Sequence, residues 1–298
     1  ISAFLGDLNA LAKRSRKTRY FVNTMMPVGV IPCIQKSMPS LRLVATDGPE
    51  KTFIVGKRSQ LDTTHDGCGP DAMRCIQVYY GFTQDIFVGI QGFTLTGGAT
   101  ASDPMNNAQA SKTGDSVARG NYGGGAFLCD LYNSHMSHGQ LLDCVISNNV
   151  AYFGAAVYGG WIQRCVVTGN ATVSTNKDPQ VTNLGGTCLD TVLSASLIYG
   201  NNVNKGELYA SAHAFDCTVS GTTVLASSDA TNSVMNGKVG SVDAQLRAPD
   251  RGDFHPLPGS PALTAGNAAS AKFPAYCVGD IDGEPFDFAQ GGTFPAGC

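Results

Sequence analysis

Two stretches of this chain hold the side chains best suited to gripping a polar polymer. Residues 99–122 carry Asp103, Asp115, Arg119 and Tyr122, and residues 171–182 carry Lys177 and Asp178. Between them in sequence runs Val150-Ala-Tyr-Phe153. Aromatic faces such as Tyr152, Phe153 and Tyr122 stack on sugar rings through dispersion and C–H contacts. Long loops held on a rigid scaffold are where binding and catalytic groups concentrate. Each of the charged residues equally suits an ordinary solvated loop, so the elements that position the loops decide what they can do.

Other chemistry-bearing patterns are weaker. His135-Met-Ser-His138 places two imidazoles three apart, but beside Asn, Ser and Gly and with no third ligand in reach of the pattern; an exposed histidine pair explains it. Asp280-Ile-Asp-Gly283 resembles the start of a calcium loop without the downstream bidentate Glu, so calcium is the one cofactor the pattern admits. No Gly-x-Ser-x-Gly elbow, phosphate loop, zinc-protease signature or Cys-x-x-Cys pair is present. No metal site is therefore assigned.

The positioning elements come from a repeat. Cys144-Val-Ile-Ser-Asn-Asn149, Cys165-Val-Val-Thr-Gly-Asn170, Ser196-Leu-Ile-Tyr-Gly-Asn201 and Cys217-Thr-Val-Ser-Gly-Thr222 share one plan, and Phe93-Thr-Leu-Thr-Gly-Gly98 is an earlier member. Their spacings are 21, 31 and 21 residues, the middle one being the period with an insertion. Ile146, Val167, Ile198 and Val219 align two residues after the first position, and Leu141, Ile162, Leu193 and Ala214 three before it. Period-two alternation puts these columns on buried faces of short strands. Cys144, Cys165 and Cys217 then read as buried thiols, and Asn149, Asn170 and Asn201 as an amide ladder at a bend, where Asn tolerates left-handed backbone. A second strand aligns Phe127, Val157, Cys188 and Tyr209, each after a glycine-marked turn. Asp143 and Arg164 fall on neighbouring repeats as a surface ion pair.

Stacked units of this kind make a solenoid. The expected fold is all-β, a right-handed parallel β-helix of about 21 residues per coil, forming a single domain over 1–298. Residues 1–40 supply a cap and first coil, 41–248 the coils and 249–298 a closing segment. Residues 3–13 read as a short amphipathic helix covering the open end. On this frame the insertions at 99–122 and 171–182 leave the same bend two coils apart, with Tyr152 and Phe153 on the floor of the trough between them.

Composition agrees. Charged residues are 14% of the chain, and 36 Gly, with abundant Asn, Ser and Thr, disfavour helices. The net charge of −3 gives no field for nucleic acid, and no apolar run reaches the ~18 residues of a membrane span. The basic run Lys13, Arg14, Arg16, Lys17, Arg19 reads as a solvated helix end. Starting at Ile1, the chain reads as a piece of a longer precursor. Ten cysteines suggest an oxidising compartment, with Cys68–Cys75 and Cys277–Cys298 as local disulfides.

Several segments resemble bacterial secreted proteins of the pectate-lyase-like β-helix superfamily: Asp47-Gly-Pro-Glu-Lys-Thr-Phe-Ile-Val-Gly56, Gly92–Gly98, Gly123-Gly-Gly-Ala126, Asp253-Phe-His-Pro-Leu-Pro-Gly-Ser-Pro-Ala-Leu-Thr-Ala-Gly266 and Asp280–Gly283. The resemblance runs from about residue 40 to the end. It implies export to the medium or cell surface and a polysaccharide partner. It does not select a reaction, since lyases, hydrolases, esterases and adhesins share this fold. Were the protein a polyuronate lyase, Lys177 or Arg119 would neutralise the substrate carboxylate or take its neighbouring proton, with Asp115 and Asp178 as acid or calcium ligands. The alternative is a non-catalytic stalk, adhesin or filament module able to associate with its own copies.

Overall fold

The computed structural model describes residues 29–35, 38–62, 65–78, 87–101, 120–128, 139–173, 185–203, 208–209, 212–220, 229–231, 234–236, 245–248, 251, 253–264, 266–267 and 293–294. The expected N-terminal helix at 3–13 lies outside them. The described chain is strand-rich and all-β: it contains no α-helix, and a short 3-10 turn covers Pro261–Thr264.

Three large sheets dominate. The first is eight-stranded, in the order Gly29–Gln35, Met38–Val44, Phe87–Gln91, Gly139–Leu142, Trp161–Gln163, Val192–Ser194, His213–Phe215, Asp229–Thr231. Its first two strands pair antiparallel and all the rest parallel. The second, seven-stranded and wholly parallel, runs Phe53–Val55, Thr94–Thr96, Val145–Ser147, Val166–Thr168, Leu197–Tyr199, Thr218–Ser220, Val234–Asn236. The third is parallel and five-stranded: Ile76–Gln77, Ala126–Phe127, Val157–Tyr158, Cys188–Leu189, Leu208–Tyr209. Among the described residues, five successive repeats from Met38 to Tyr209 give one strand to each sheet, and equivalent residues pair across repeats.

The inward columns form one continuous core. Leu43, Ile90, Leu141, Ile162, Leu193 and Ala214 line the eight-stranded sheet, and Ile54, Leu95, Ile146, Val167, Ile198 and Val219 the seven-stranded one. The third sheet contributes Ile76, Ala126, Val157, Cys188 and Leu208. This corrects the expected register there. Val157 pairs with Ala126, not Phe127, and Cys188 with Leu208, not Tyr209. In a two-residue strand only one side chain points inward, and a slip of one exchanges the faces. Phe127 therefore packs outside, with Tyr158 and Leu189. The glycines before it allow close approach: a methyl on Gly124 would stand 2.5 Å from the Val150 carbonyl oxygen and 2.7 Å from that of Ala155.

Two corners turn the chain with left-handed residues. Gly92, Asp143, Arg164, Ala195 and Asp216 have φ between 43° and 77° and join the eight- and seven-stranded sheets. Gly97, Asn148, Gly169 and Gly200 take φ of 55–70° at the end of the seven-stranded sheet. The left-handed position is thus the residue before each ladder asparagine, not the asparagine itself. Freed from turning the chain, Asn149 and Asn170 point inward and are fully buried.

Their amides run from repeat to repeat. Asn170 Oδ1 accepts from the Asn149 backbone N–H at 3.1 Å and from Asn149 Nδ2 at 2.9 Å; Asn201 Oδ1 takes the same two bonds from Asn170, at 2.9 and 3.0 Å. Asn170 Nδ2 also donates to the Ile146 and Thr168 carbonyls. The cysteine column does comparable service at the other corner. The N–H of Cys144 donates to Cys165 Sγ at 3.4 Å, that of Cys165 to Ser196 Oγ at 3.1 Å, and that of Ser196 to Cys217 Sγ at 3.4 Å. Cysteine is here a small hydrophobe that also satisfies a backbone donor at a turn.

Cys68 and Cys75 are free thiols, which overturns the disulfide expected between them. They bury in different clusters: Cys75 joins the main core, its Sγ donating to Asn149 Oδ1 at 3.4 Å, while Cys68 lies against Thr100 and Val150. Cys277 and Cys298 lie outside the described residues. Burial pushes the thiols of Cys75 and Cys217 up to about 12 and raises that of Cys68. Only a thiolate alkylates readily. All six described free thiols are buried out of reach of reagent, so at pH 8 iodoacetamide is expected to leave Cys68, Cys75, Cys144, Cys165, Cys188 and Cys217 unmodified in the native protein and to label all six in urea without reductant. Peptide mass mapping reads the result; a 68–75 peptide that labels only after reduction would restore the disulfide.

Candidate functional site

The bend after the seven-stranded sheet is where both candidate insertions are rooted. Ala99, Val150, Ala171 and Asn202 form a short parallel stack there. The first insertion leaves at Ala101 and returns at Gly120, the Ala101 N–H donating to the Gly120 carbonyl at 3.1 Å. The second leaves after Val173 and returns at Gly185; the N–H groups of these residues donate to Ala151 (3.1 Å) and Tyr152 (3.0 Å). Between the two roots runs the uninterrupted turn 150–153, which pairs with 121–123 through Phe153 N–H to Asn121 O (3.2 Å) and Gly123 N–H to Phe153 O (2.9 Å). Arg119, Asp115, Lys177, Asp178 and Asp103 lie outside the described residues, as do His135, His138, Asp280 and Asp282.

The three aromatic candidates are described, and they divide. Phe153 and Tyr122 come together as a half-buried stacked pair, centroids 4.8 Å apart and planes at 19°. Tyr122 also tilts against Tyr158 at 4.8 Å, and Tyr158 against Phe127 at 5.3 Å, giving a row of rings on the outer face of the five-stranded sheet. Arg74 stands over Phe127, 5.3 Å from its centroid, and donates to Gln77 Oε1 (2.8 Å) and to the Gly120 carbonyl (2.9 Å). Burial brings its guanidinium down to about 10, which leaves it charged at neutral pH. The cation therefore sits at the root of the first insertion, in contact with the aromatic row.

Tyr152 corrects the expectation of a floor residue. It is fully buried in a second apolar cluster with Cys68, Ala99, Val150 and Val173, so its ring face is not offered to a ligand. The reason is alternation: Val150 and Tyr152 share a side of the turn, and Phe153 takes the other. The lid on this cluster comes from an earlier loop that supplies Cys68 and Ala72.

That loop, residues 57–73, gathers chemistry-bearing side chains not singled out in the sequence. Lys57 and Met73 close it by exchanging two backbone bonds of 2.8 Å. At its centre the Asp71 carboxylate accepts from Lys57 Nζ (2.8 Å), the Ser59 hydroxyl, and the N–H groups of Gln60 and Leu61 (3.3 and 3.4 Å). The Lys57 and Ser59 bonds hold Asp71 well below the usual carboxylate range. His65 Nδ1 lies 2.7 Å from Asp62 Oδ2, with its ring 6.4 Å from that of Tyr152. Arg58 reaches across two repeats to Asn148 Oδ1 at 2.8 Å. These contacts organise the loop and pin it to the sheets. The available clue was the run Asp-Gly-Cys-Gly-Pro-Asp at 66–71, read only as a disulfide loop.

The Asp143–Arg164 pair is confirmed in register and corrected in setting. Arg164 Nε donates to Asp143 Oδ1 at 2.7 Å, its terminal nitrogen contacts the same oxygen, and only 4% of the Arg164 side chain is exposed. Gln91 Nε2 donates to Asp143 Oδ2 at 2.6 Å, and Arg42 donates to Gln91 Oε1. A polar chain thus crosses four repeats along one corner, a structural element and not a carboxylate pair for glycoside hydrolysis.

Among the described residues no three His, Cys, Asp or Glu side chains gather so as to hold a metal ion, and no helix is long and apolar enough to cross a membrane. Comparison with protein-family models, curated proteins and solved structures finds no match to this chain.

Proposed function

We propose that the chain is a right-handed parallel β-helix of the pectate-lyase-like kind, exported to the medium or cell surface, that binds a polysaccharide at the bend carrying the two insertions. The observation that carries this reading is the half-buried Tyr122–Phe153 stack, seated between the roots of both insertions, with the Arg74 cation over Phe127 in the same row of rings and bonded to the Gly120 carbonyl at the first root. Ring edges and a nearby cation suit a sugar chain with acidic or hydroxyl groups, and the paired backbone at 121–123 and 152–153 holds them rigidly. Parallel sheets in repeat register, with few charges on their strands, are what a long, stiff surface scaffold requires.

Binding is favoured over cleavage by what the described carboxylates do. Asp71, Asp143 and Asp253 each accept from two or more donors, including a cationic side chain. These bonds hold Asp71 and Asp253 well below the usual carboxylate range, which makes those two poor proton acceptors. If catalysis exists here, its base and cation come from Arg119, Asp115, Lys177 and Asp178 in the insertions.

The test is retention of the purified chain on immobilised acidic and neutral polysaccharides, with absorbance near 235 nm and reducing ends followed in parallel, with and without calcium. Retention is expected to weaken at least about tenfold in Phe153→Ala, the loss of one stacking partner worth ~1.4 kcal/mol. Retention without product formation supports a binding module. Product formation abolished in Lys177→Ala makes it an enzyme acting at the bend. Retention that Phe153→Ala leaves unchanged removes the bend as the site.

A further inference from the structure

Asn170-Ala-Thr172 is the chain's one Asn-x-Ser/Thr triplet, the acceptor sequence for N-linked glycans. Such an acceptor ordinarily sits on a surface loop, because its amide nitrogen must carry a bulky, hydrated sugar. Here it lies inside the amide ladder. Asn170 is fully buried, and Thr172, in the strand Ala171–Thr172, is 6% exposed. The two Nδ2 hydrogens of Asn170 are shared among the Ile146 carbonyl (2.8 Å), the Thr168 carbonyl (3.1 Å) and Asn201 Oδ1 (3.0 Å). Its Oδ1 holds two donors of Asn149. Asn149 and Asn201 stand at the equivalent places of the repeats on either side, each one strand spacing of ~4.8 Å away. The main chain is closed as well. The N–H groups of Asn170, Ala171 and Thr172 donate to Asn201 Oδ1 (2.9 Å), Asn149 O (2.9 Å) and Asn202 O (3.0 Å), and the Asn170 carbonyl accepts from Asn202 N–H (2.8 Å).

We infer that N-linked glycosylation of Asn170 and folding exclude each other: the triplet is an acceptor only in the unfolded chain, and a sugar there blocks the fold. Transfer would join Asn170 Nδ2 to the anomeric carbon of a lipid-linked oligosaccharide, with the lipid pyrophosphate leaving and one amide proton lost. With one Nδ2 hydrogen gone, the ladder acceptors around it compete for the other. The larger obstacle is room, since a close-packed interior responds to a single added methylene and a hexosamine is many times that volume. The modified side chain would have to leave the ladder and strand both Asn149 donors in the core. In the opposite direction, once Asn149, Asn170 and Asn201 have stacked, Nδ2 is sealed from any transferase. The order of events therefore decides the outcome: a chain glycosylated before the repeats stack cannot close them. None of this depends on what the bend binds, and it reaches further. A chain of this fold has to be exported by a route on which no oligosaccharyltransferase meets it unfolded.

The full chain is expressed in bacteria that lack N-glycosylation and, behind a secretion signal, in eukaryotic cells that carry it. Thr172→Val, which removes the acceptor sequence with little change of shape, is expressed beside it in both hosts. Peptide mass mapping locates the glycan in the secreted and in the retained, insoluble fractions, and limited proteolysis establishes which fraction is folded. Glycan at Asn170 is expected only in the retained fraction, with the secreted, protease-resistant chain unmodified. Thr172→Val should raise the secreted yield from the glycosylating host at least about threefold relative to its effect in bacteria, where the same comparison absorbs any stability lost with the hydroxyl. Secreted, protease-resistant chain that carries the glycan at Asn170 overturns the inference. So does a Thr172→Val effect on yield that is the same in the two hosts.

Discussion

Asn170→Ala is expected to lower unfolding stability by about 3–5 kcal/mol, at the top of the range for single substitutions. The side chain serves four residues at once: its Oδ1 accepts from two groups of Asn149, and its Nδ2 shares two hydrogens among Ile146, Thr168 and Asn201. Deleting it strands two buried donors of Asn149, each costing about 1–3 kcal/mol when left without an acceptor. The fully buried site leaves water no ready route in to replace them. Asn170→Asp separates the two halves of the role. It keeps the acceptor but loses the Nδ2 donor and places a charge in the core, so it too should be severely destabilised at neutral pH. Asn201→Ala should cost less, because Asn201 is only partly buried and solvent can reach the groups it leaves. Urea unfolding followed by circular dichroism reads all three. A loss under about 1 kcal/mol for Asn170→Ala would mean that the ladder relaxes around the gap and does not bind the repeats together.

How much of this was legible follows from how often the chain repeats each choice. The inward columns through Leu141 and Ile146 were readable because four successive repeats agree on an apolar residue at each place, and any other register would bury Asn or Ser strands' outer faces. The ladder was readable for the same reason. The five-stranded sheet was misread by one residue at Phe127 and Tyr209, since its strands are two residues long and the glycines beside them fit either register; the pairing sets Ala126, not Phe127, beside Val157. The left-handed turns at Arg164 and Ala195 had no signal at all, because neither residue type favours that conformation and only the column they share with Gly92 and Asp143 explains it. At the site, the common bend of the two insertions came from counting the period. The burial of Tyr152 did not, since the residues that cover it belong to the 57–73 loop some 80 positions earlier. Trp161 was the reverse case: an inward Ile162 already required an outward Trp161.

The corner network makes the second strong prediction. Asp143→Asn should cost about 3–5 kcal/mol, the usual loss on breaking a buried pair from one side, because Arg164 stays almost wholly buried and loses the carboxylate oxygen that two of its nitrogens contact. Asparagine tolerates the left-handed φ of 49° that residue 143 adopts, so the substitution tests charge and not backbone strain. Asp143→Ala should be worse by about 1 kcal/mol, the cost of a non-glycine, non-Asx residue in that conformation. Arg164→Met, which removes the cation and keeps an unbranched stem, should cost less than Asp143→Asn, since an anion at 143 is still held by Gln91 and is itself more open to solvent. Combining Arg164→Met with Asp143→Asn should recover part of the loss, leaving a coupling of about 2 kcal/mol in the double-mutant cycle. Salt separates the two settings the pair could have. An exposed pair would lose most of its coupling between 0.05 and 0.5 M NaCl, values chosen because the Debye length falls from about 14 Å to about 4 Å across them. A pair sealed at the corner should keep its coupling through the same change, because ions do not enter the space between Arg164 and Asp143. A coupling that fades with salt would return this pair to the surface and leave the four-repeat polar chain without its central link.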